Sequence, residues 1–268
     1  MDSFGREIAF DPAAPDAATP TAVDTRRLSG VACPSPTQCT AVDDLGREVT
    51  FDPAAPGTPI MGTIDRGHLP FAVACPSTSQ CTAVDNSGRE VTFDPTSPGR
   101  SSPRVIDRGR WLMGVACPST RQCTAVGESG RAVTFDPTAA GAATQVVVDP
   151  GHRLFGVACP SARDCLAVDD AGRAVEGNPQ SRRARAWTVE PIARASLLTA
   201  VACSAVSQCV AVDEGGLRVR RHPVDGQDFA QVVATPAGHR PARDPHRSGQ
   251  PATQGGRVIF FNWSTRGG

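Results

Sequence analysis

Apolar residues along this chain come in runs of three to five separated by polar breakers, and no useful stretch keeps helical spacing. The run GVAC at 30–33 is β-compatible and stops at Pro34 and Ser35. After the next cysteine, TAVD at 40–43 reads as a second strand. It is closed by a D-x-x-G turn (Asp43 to Gly46, Asp85 to Gly88, Asp169 to Gly172) whose glycine suits a positive φ. REVTF at 47–51 then alternates with period two and stops at Asp52-Pro53. A Pro-, Gly- and Ala-rich connection leads to a fourth β-branched stretch, such as TQVVVD at 144–149. With 26 glycines and 24 prolines, helices of useful length are not expected.

This unit recurs. LSGVACPSPTQCTAVDDLGREVTFDP from Leu28 aligns without gaps with segments from Pro70, Leu112, Leu154 and, more loosely, Leu198. Cys33, Cys75, Cys117 and Cys159 are 42 residues apart, and the step to Cys203 is 44. Four short strands per unit of about 40–45 residues predict an all-β fold, a β-propeller of four-stranded blades. A β-solenoid would need shorter rungs, and a β-sandwich gives no reason for repeated copies.

Full blades are expected at about 28–69, 70–111, 112–153, 154–197 and 198–235. A half blade comes first at 2–25, with Phe4–Pro12 as its third strand and Thr21–Asp24 as its fourth. Residues 236–268 read as an irregular Arg/Pro-rich tail, with a degenerate closing strand at 256–263. Six blades result if the ring closes, and a fragment of a seven-bladed ring is the alternative. A reading frame incomplete at one or both ends is expected, which would account for the half blade, the tail and the lack of a signal peptide at MDSFGREIAFDP.

The pattern V-A-C-P-S-x-x-x-C-x-A-V-x-x-x-G-R-x-V-T-F resembles cysteine-paired propeller repeats of predicted secreted actinobacterial proteins. It is more distantly similar to the Asp-box (BNR-type) propellers. The chain departs from the Asp-box pattern where FDPAAPG, FDPTSPG and FDPTAAG stand in place of S-x-D-x-G-x-x-W. The likeness therefore implies architecture rather than activity.

All ten cysteines fall in C-x5-C pairs: Cys33/Cys39, Cys75/Cys81, Cys117/Cys123, Cys159/Cys165 and Cys203/Cys209. Each pair flanks one hairpin, where a disulfide fits, and buried free thiols are the alternative. No unit supplies four metal ligands, and C-x5-C is not the redox spacing C-x-x-C. Paired cysteines point to an extracellular or cell-surface location.

Charge and composition narrow the chemistry. The 27 basic residues, all arginine, balance 27 acidic ones, so no overall pull toward nucleic acid exists. Arginine without lysine is the mark of a GC-rich genome. No apolar run reaches the ~18 residues of a membrane span. Tyrosine is absent, which removes the nucleophile of sialidase chemistry that the Asp-box relatives would imply. No catalytic residues, metal or cofactor are assigned, and the chain is expected not to be an enzyme.

One set of positions carries a binding expectation. His68, Arg110 and His152 lie seven residues before a first cysteine, with Arg66 and Arg108 two residues upstream of the first two. These connections should emerge beside the turns that begin with Asp43, Asp85 and Asp169, lining one face with alternating charge. Plain duplication of the unit is the alternative explanation. The expected function is a monomeric, non-enzymatic extracellular scaffold binding a protein or glycan through that face. A propeller-type glycan hydrolase or lyase is the second reading.

Overall fold

The computed structural model describes residues 4–9, 20–55, 57–97, 101–193, 197–205 and 208–213, and the backbone of three further strands up to Asn262. It is all-β. A short pair, β1 (Arg6–Glu7) and β2 (Thr21–Ala22), precedes β3 (Leu28–Ser35), β4 (Gln38–Asp43), β5 (Arg47–Phe51) and β6 (Ile60–Thr63), which form the first blade. Blade two comprises β7 (Pro70–Ser77), β8 (Gln80–Asp85), β9 (Arg89–Phe93) and β10 (Arg104–Val105). Blade three comprises β11 (Leu112–Ser119), β12 (Gln122–Gly127), β13 (Arg131–Phe135) and β14 (Thr144–Val147). Blade four comprises β15 (Leu154–Ala158), β16 (Cys165–Asp169), β17 (Arg173–Gly177) and β18 (Trp187–Pro191). Each is an antiparallel meander, and the first strand of one packs against the first strand of the next. This is the β-propeller arrangement.

The second strand of each blade shows why the sequence builds this fold. In β4 and β8, five consecutive residues from the cysteine to the aspartate are buried, because the strand has blades on both faces. Val42 and Ile64 of blade one pack with Val73, Cys81, Ala83 and Phe93 of blade two, and the next interface repeats this with Val84, Ile106, Leu112, Ala125 and Phe135. Alternate residues thus face opposite neighbours, and the core is a series of layers between blades. Small residues are required where first strands converge: a Cβ on Gly30 would lie 3.0 Å from the Ala72 Cα, and one on Gly156 2.9 Å from the Ala200 Cα.

All five cysteine pairs are disulfides, with Cα separations of 4.0–4.1 Å. This selects the bridge over the free thiol. Such bridges persist in an oxidising environment. Each closes the hairpin between first and second strands, and in blades one to three a glutamine beside it ties that hairpin to the next blade. Gln38, Gln80 and Gln122 donate through Nε2 to the carbonyls of Thr78, Thr120 and Ala162, each at 2.8 Å.

At the front, Arg6↔Ala22 and Glu7↔Thr21 reproduce the register of Arg47↔Thr63 and Glu48↔Gly62. The expected third strand there extends to Pro12, but Phe10 to Pro12 lie outside the described residues. The fifth blade departs from expectation. β19 (Leu198–Ala205) and β20 (Gln208–Asp213) are followed in space by β23 (Arg257–Asn262), and β21 (Arg218–Val224) and β22 (Gln227–Val233) lie beyond it. The segment expected to end the chain as a closing strand is therefore the third strand of blade five, the place expected for residues just after Asp213. The pattern GRVIFF repeats GREVTF, and Cys209↔Phe261 matches Cys39↔Phe51, whereas Arg218–His222 would bring charge to a doubly covered strand. The rest of the tail lies outside the described residues. Among the described residues no helix is long and apolar enough to cross a membrane.

Candidate binding face

Two connections of each of the first four blades lie side by side. The amide of the residue after Asp43 donates to the Arg27 carbonyl at 3.1 Å, and Asn86, Glu128 and Asp170 repeat this with Leu69, Trp111 and Arg153 at 3.1–3.2 Å. The turn between second and third strands thus sits beside the link into the first strand, as the sequence implied. One face of the propeller collects both.

The aspartates stand at the root of that face and are turned inward. Asp43, Asp85 and Asp169 are no more than 1% exposed. Asp43 Oδ1 accepts the Leu45 and Arg47 amides at 2.9 and 2.8 Å, and Oδ2 accepts Arg47 Nε at 2.6 Å. Asp85 receives Ser87, Arg89 and Arg89 Nε, and Asp169 receives Ala171, Arg173 and Arg173 Nε, in the same way. Contrary to the sequence expectation, these three carboxylates do not line the face: they shape turns and hold an arginine.

That arginine then reaches into the preceding unit. Arg47 Nη2 donates to Asp24 at 2.8 Å, Arg173 Nη2 to Asp149 at 2.7 Å, and Arg89 Nη2 to Asp65. In blade three, Gly127 replaces the turn aspartate, and Arg131 lies 3.7 Å from Asp107 while donating to Gln145. Burial opposes charge on Arg47, Arg89 and Arg173, yet the two carboxylates around each raise its pKa above the ordinary value. Asp65 is pushed up to about 6, chiefly by burial, with Asp85 adding to the rise and Arg89 opposing it.

The basic candidates do reach the surface. Arg66 and Arg108 are exposed, with no side-chain hydrogen bond among the described residues. Arg110 Nη1 donates to Ser129 Oγ at 2.7 Å. His68 Nδ1 is 3.0 Å from Ser87 Oγ and 3.6 Å from Asp85 Oδ2. This is not a nucleophile–base–acid relay, because one ring nitrogen faces both partners. His152 Nδ1 is 2.8 Å from Asp170 Oδ1. With Asp169 it forms a cluster whose ligand atoms lie within 4.8 Å of one another, but Arg173 and two amides occupy Asp169, which leaves too few donors for a metal.

Sequence reasoning missed the apolar part of this face. Leu45, Leu69 and Trp111 are 45%, 41% and 45% exposed in these same connections. The Trp111 ring stands 5.6 Å from that of Phe71, at an interplanar angle of 48°. Phe71 and Met113 occupy the register shifts at Pro70/Ala72 and Leu112/Gly114, and Phe155 that at Leu154/Gly156. All three are half-buried. A bulge takes its residue out of the ladder and re-aims the side chain. The available signal was that this position varies (Ser29, Phe71, Met113, Phe155, Thr199) while its neighbours do not.

No known protein family matches this chain, and no curated protein does. Solved structures are similar in fold alone. One, described as "YCF48 bound to D1 peptide", has a TM-score of 0.55 at 11% identity, covering 75% of this chain and 66% of that one. Another, described as "Structure of U3-55K", has a TM-score of 0.60 at 8% identity, covering 76% and 68%. The chain thus spans about two thirds of each.

Proposed function

We propose that this chain is a non-enzymatic, extracellular binding scaffold that docks a protein partner on the face carrying Trp111. The observation that carries this reading is exposed Trp111 beside half-buried Phe71, with exposed Leu69, and with Arg66, Arg108 and Arg110 in the same connections. Aromatic residues and arginine are the side chains enriched at interface centres, where they act as anchors. A rigid frame supports them, because inter-blade ion pairs such as Arg89–Asp65 lie at the root of this face and a disulfide closes the far end of each first strand. One solved structure of this fold is described as bound to a peptide, which favours a polypeptide ligand over a glycan. Five disulfides favour secretion, and the chain is read as a monomer.

The test is selection of a displayed peptide library on the oxidised protein, counted in parallel on a Phe71→Ser/Trp111→Ser variant. Enriched peptides that lose binding to the variant support the reading. Peptides retained equally by both, or sugars alone captured on a glycan array, contradict it.

A further inference from the structure

The opposite side of the propeller carries a second feature, set by a difference between two copies of the unit. At the interface of blades two and three, Arg104 of β10 donates Nε to Glu90 Oε1 at 2.9 Å and Nη2 to the Asp136 carbonyl at 2.9 Å. Its Nη1 meets the Ala139 carbonyl, and its guanidinium carbon lies 5.8 Å from the centre of the Phe135 ring. One blade supplies the carboxylate and the arginine; the next supplies two carbonyls and an aromatic face.

The interface of blades one and two repeats every part of this receptor except the arginine. Glu48 pairs with Gly62 across β5 and β6 as Glu90 pairs with Arg104 across β9 and β10. Thr50 donates to Glu48 Oε2 at 2.8 Å, as Thr92 donates to Glu90 at 2.9 Å. The receiving turn is also duplicated: the Asp94 carbonyl accepts the Ser97 amide at 3.2 Å, and that of Asp136 accepts Ala139 at 3.4 Å. Phe93 takes the place of Phe135, opposite Cys81 as Phe135 is opposite Cys123. Glu48 is fully buried, and its Oε1 has no hydrogen-bond partner among the described residues. A cleft of about 500 Å³ opens between the same two blades; Thr50, the donor to Glu48, is part of its wall, with Ile60, Asp52, Thr78 and Thr96.

In blade three the corresponding pair is Ala132 and Val146, both apolar and both in the core. Acid and base are thus both present in blade two and both lost in blade three. Blade one keeps the acid alone. Burial pushes Glu48 up to about 7, with the Thr50 hydrogen bond opposing the rise. A planar guanidinium matches a carboxylate, two carbonyls and a ring, whereas an ammonium matches fewer of them.

We infer that the cleft between blades one and two is a binding site for an arginine side chain of a partner polypeptide, received as blade three receives Arg104. The cleft is larger than one guanidinium and leaves room for flanking peptide. It lies among the disulfide hairpins, away from Trp111, so its failure and that of the proposed face are separate results.

The experiment is calorimetric titration of the oxidised protein with acetyl-Gly-Arg-Gly-amide and its lysine counterpart. One-to-one binding of the arginyl peptide is expected, with the lysyl peptide weaker by roughly tenfold or more. Glu48→Gln should weaken the arginyl peptide by roughly tenfold or more. Gly62→Arg should abolish binding while melting no lower than the parent, because it supplies the arginine internally. Absence of binding at millimolar peptide, or undiminished binding by Gly62→Arg, overturns the inference. Arg100, in the next connection, lies outside the described residues. An Arg100→Ala variant should bind like the parent, and binding seen only in that variant would assign the site to the chain's own arginine and overturn the proposal.

Discussion

Arg89 of the second blade donates to Asp65 at the end of the first, 24 residues earlier, while its Nε holds Asp85 in its own turn. One guanidinium therefore joins two buried carboxylates from different blades. Removing it leaves both without their cation. Arg89→Ala should destabilise the protein by about 3–5 kcal/mol, the usual result of breaking a buried pair from one side. Arg89→Lys should recover only part, since one ammonium cannot serve both acids in the same geometry. Urea unfolding followed by near-ultraviolet circular dichroism measures both.

Gly88 accepts the amides of Ile106 and Asp107 on its carbonyl at a φ of +76°. A Cβ there would lie 1.7 Å from the Asp107 carbonyl oxygen. Gly88→Ala should therefore destabilise beyond the roughly 1–3 kcal/mol of a left-handed residue alone. At Gly67, where φ is also positive (+80°) but nothing lies within 4 Å, the same change should cost only the backbone term. Thermal melts of the two variants separate the effects.

Stability should fall as pH rises. Burial first, then the carboxylates of Glu190 and Asp164, push Glu176 up to about 8 from 4.5. A carboxyl whose pKa is raised on folding favours the protonated folded form. Its contribution is complete below the unfolded value of 4.5 and is lost as pH rises through about 8. Glu176→Gln should flatten the stability profile across that window, read from melting temperatures in a buffer series.

The fold was largely legible because duplication exposed it: the step from Cys33 to Cys75 marks blade phase, and GVAC, TAVD and REVTF mark three of four strands. The site was legible only in outline. Asp43 and Arg47 stand four apart in sequence, but Asp24, the second partner, belongs to the preceding unit and is found only through the register of sheets. A turn aspartate reads the same whether it faces a ligand or caps amides, and burial decides between the two. The sequence marks neither Phe71 nor Trp111 as part of a site; a bulge and a connection bring them to this face. The contrast of Glu48–Gly62 with Glu90–Arg104 is visible in the sequence, yet means nothing until the strands are paired.

Each disulfide closes a short hairpin, so its effect should be local and modest. Cys75→Ala with Cys81→Ala should lower stability by about 2 kcal/mol in the chain-entropy model. Because the bridges do not link blades, reducing all five should lower the melting temperature progressively rather than abolish folding at the first reduction. Melts at graded reductant, with bridges counted by mass spectrometry, check this.

On the function proposed above, the Trp111 face receives a protein ligand. Hydrogen–deuterium exchange of the oxidised protein, free and saturated with a display-selected peptide, tests it most directly. Added protection is expected at 65–71, 107–113 and 149–155, with none at the disulfide hairpins 34–38 and 76–80. Protection confined to those hairpins, or none along the face, would contradict it.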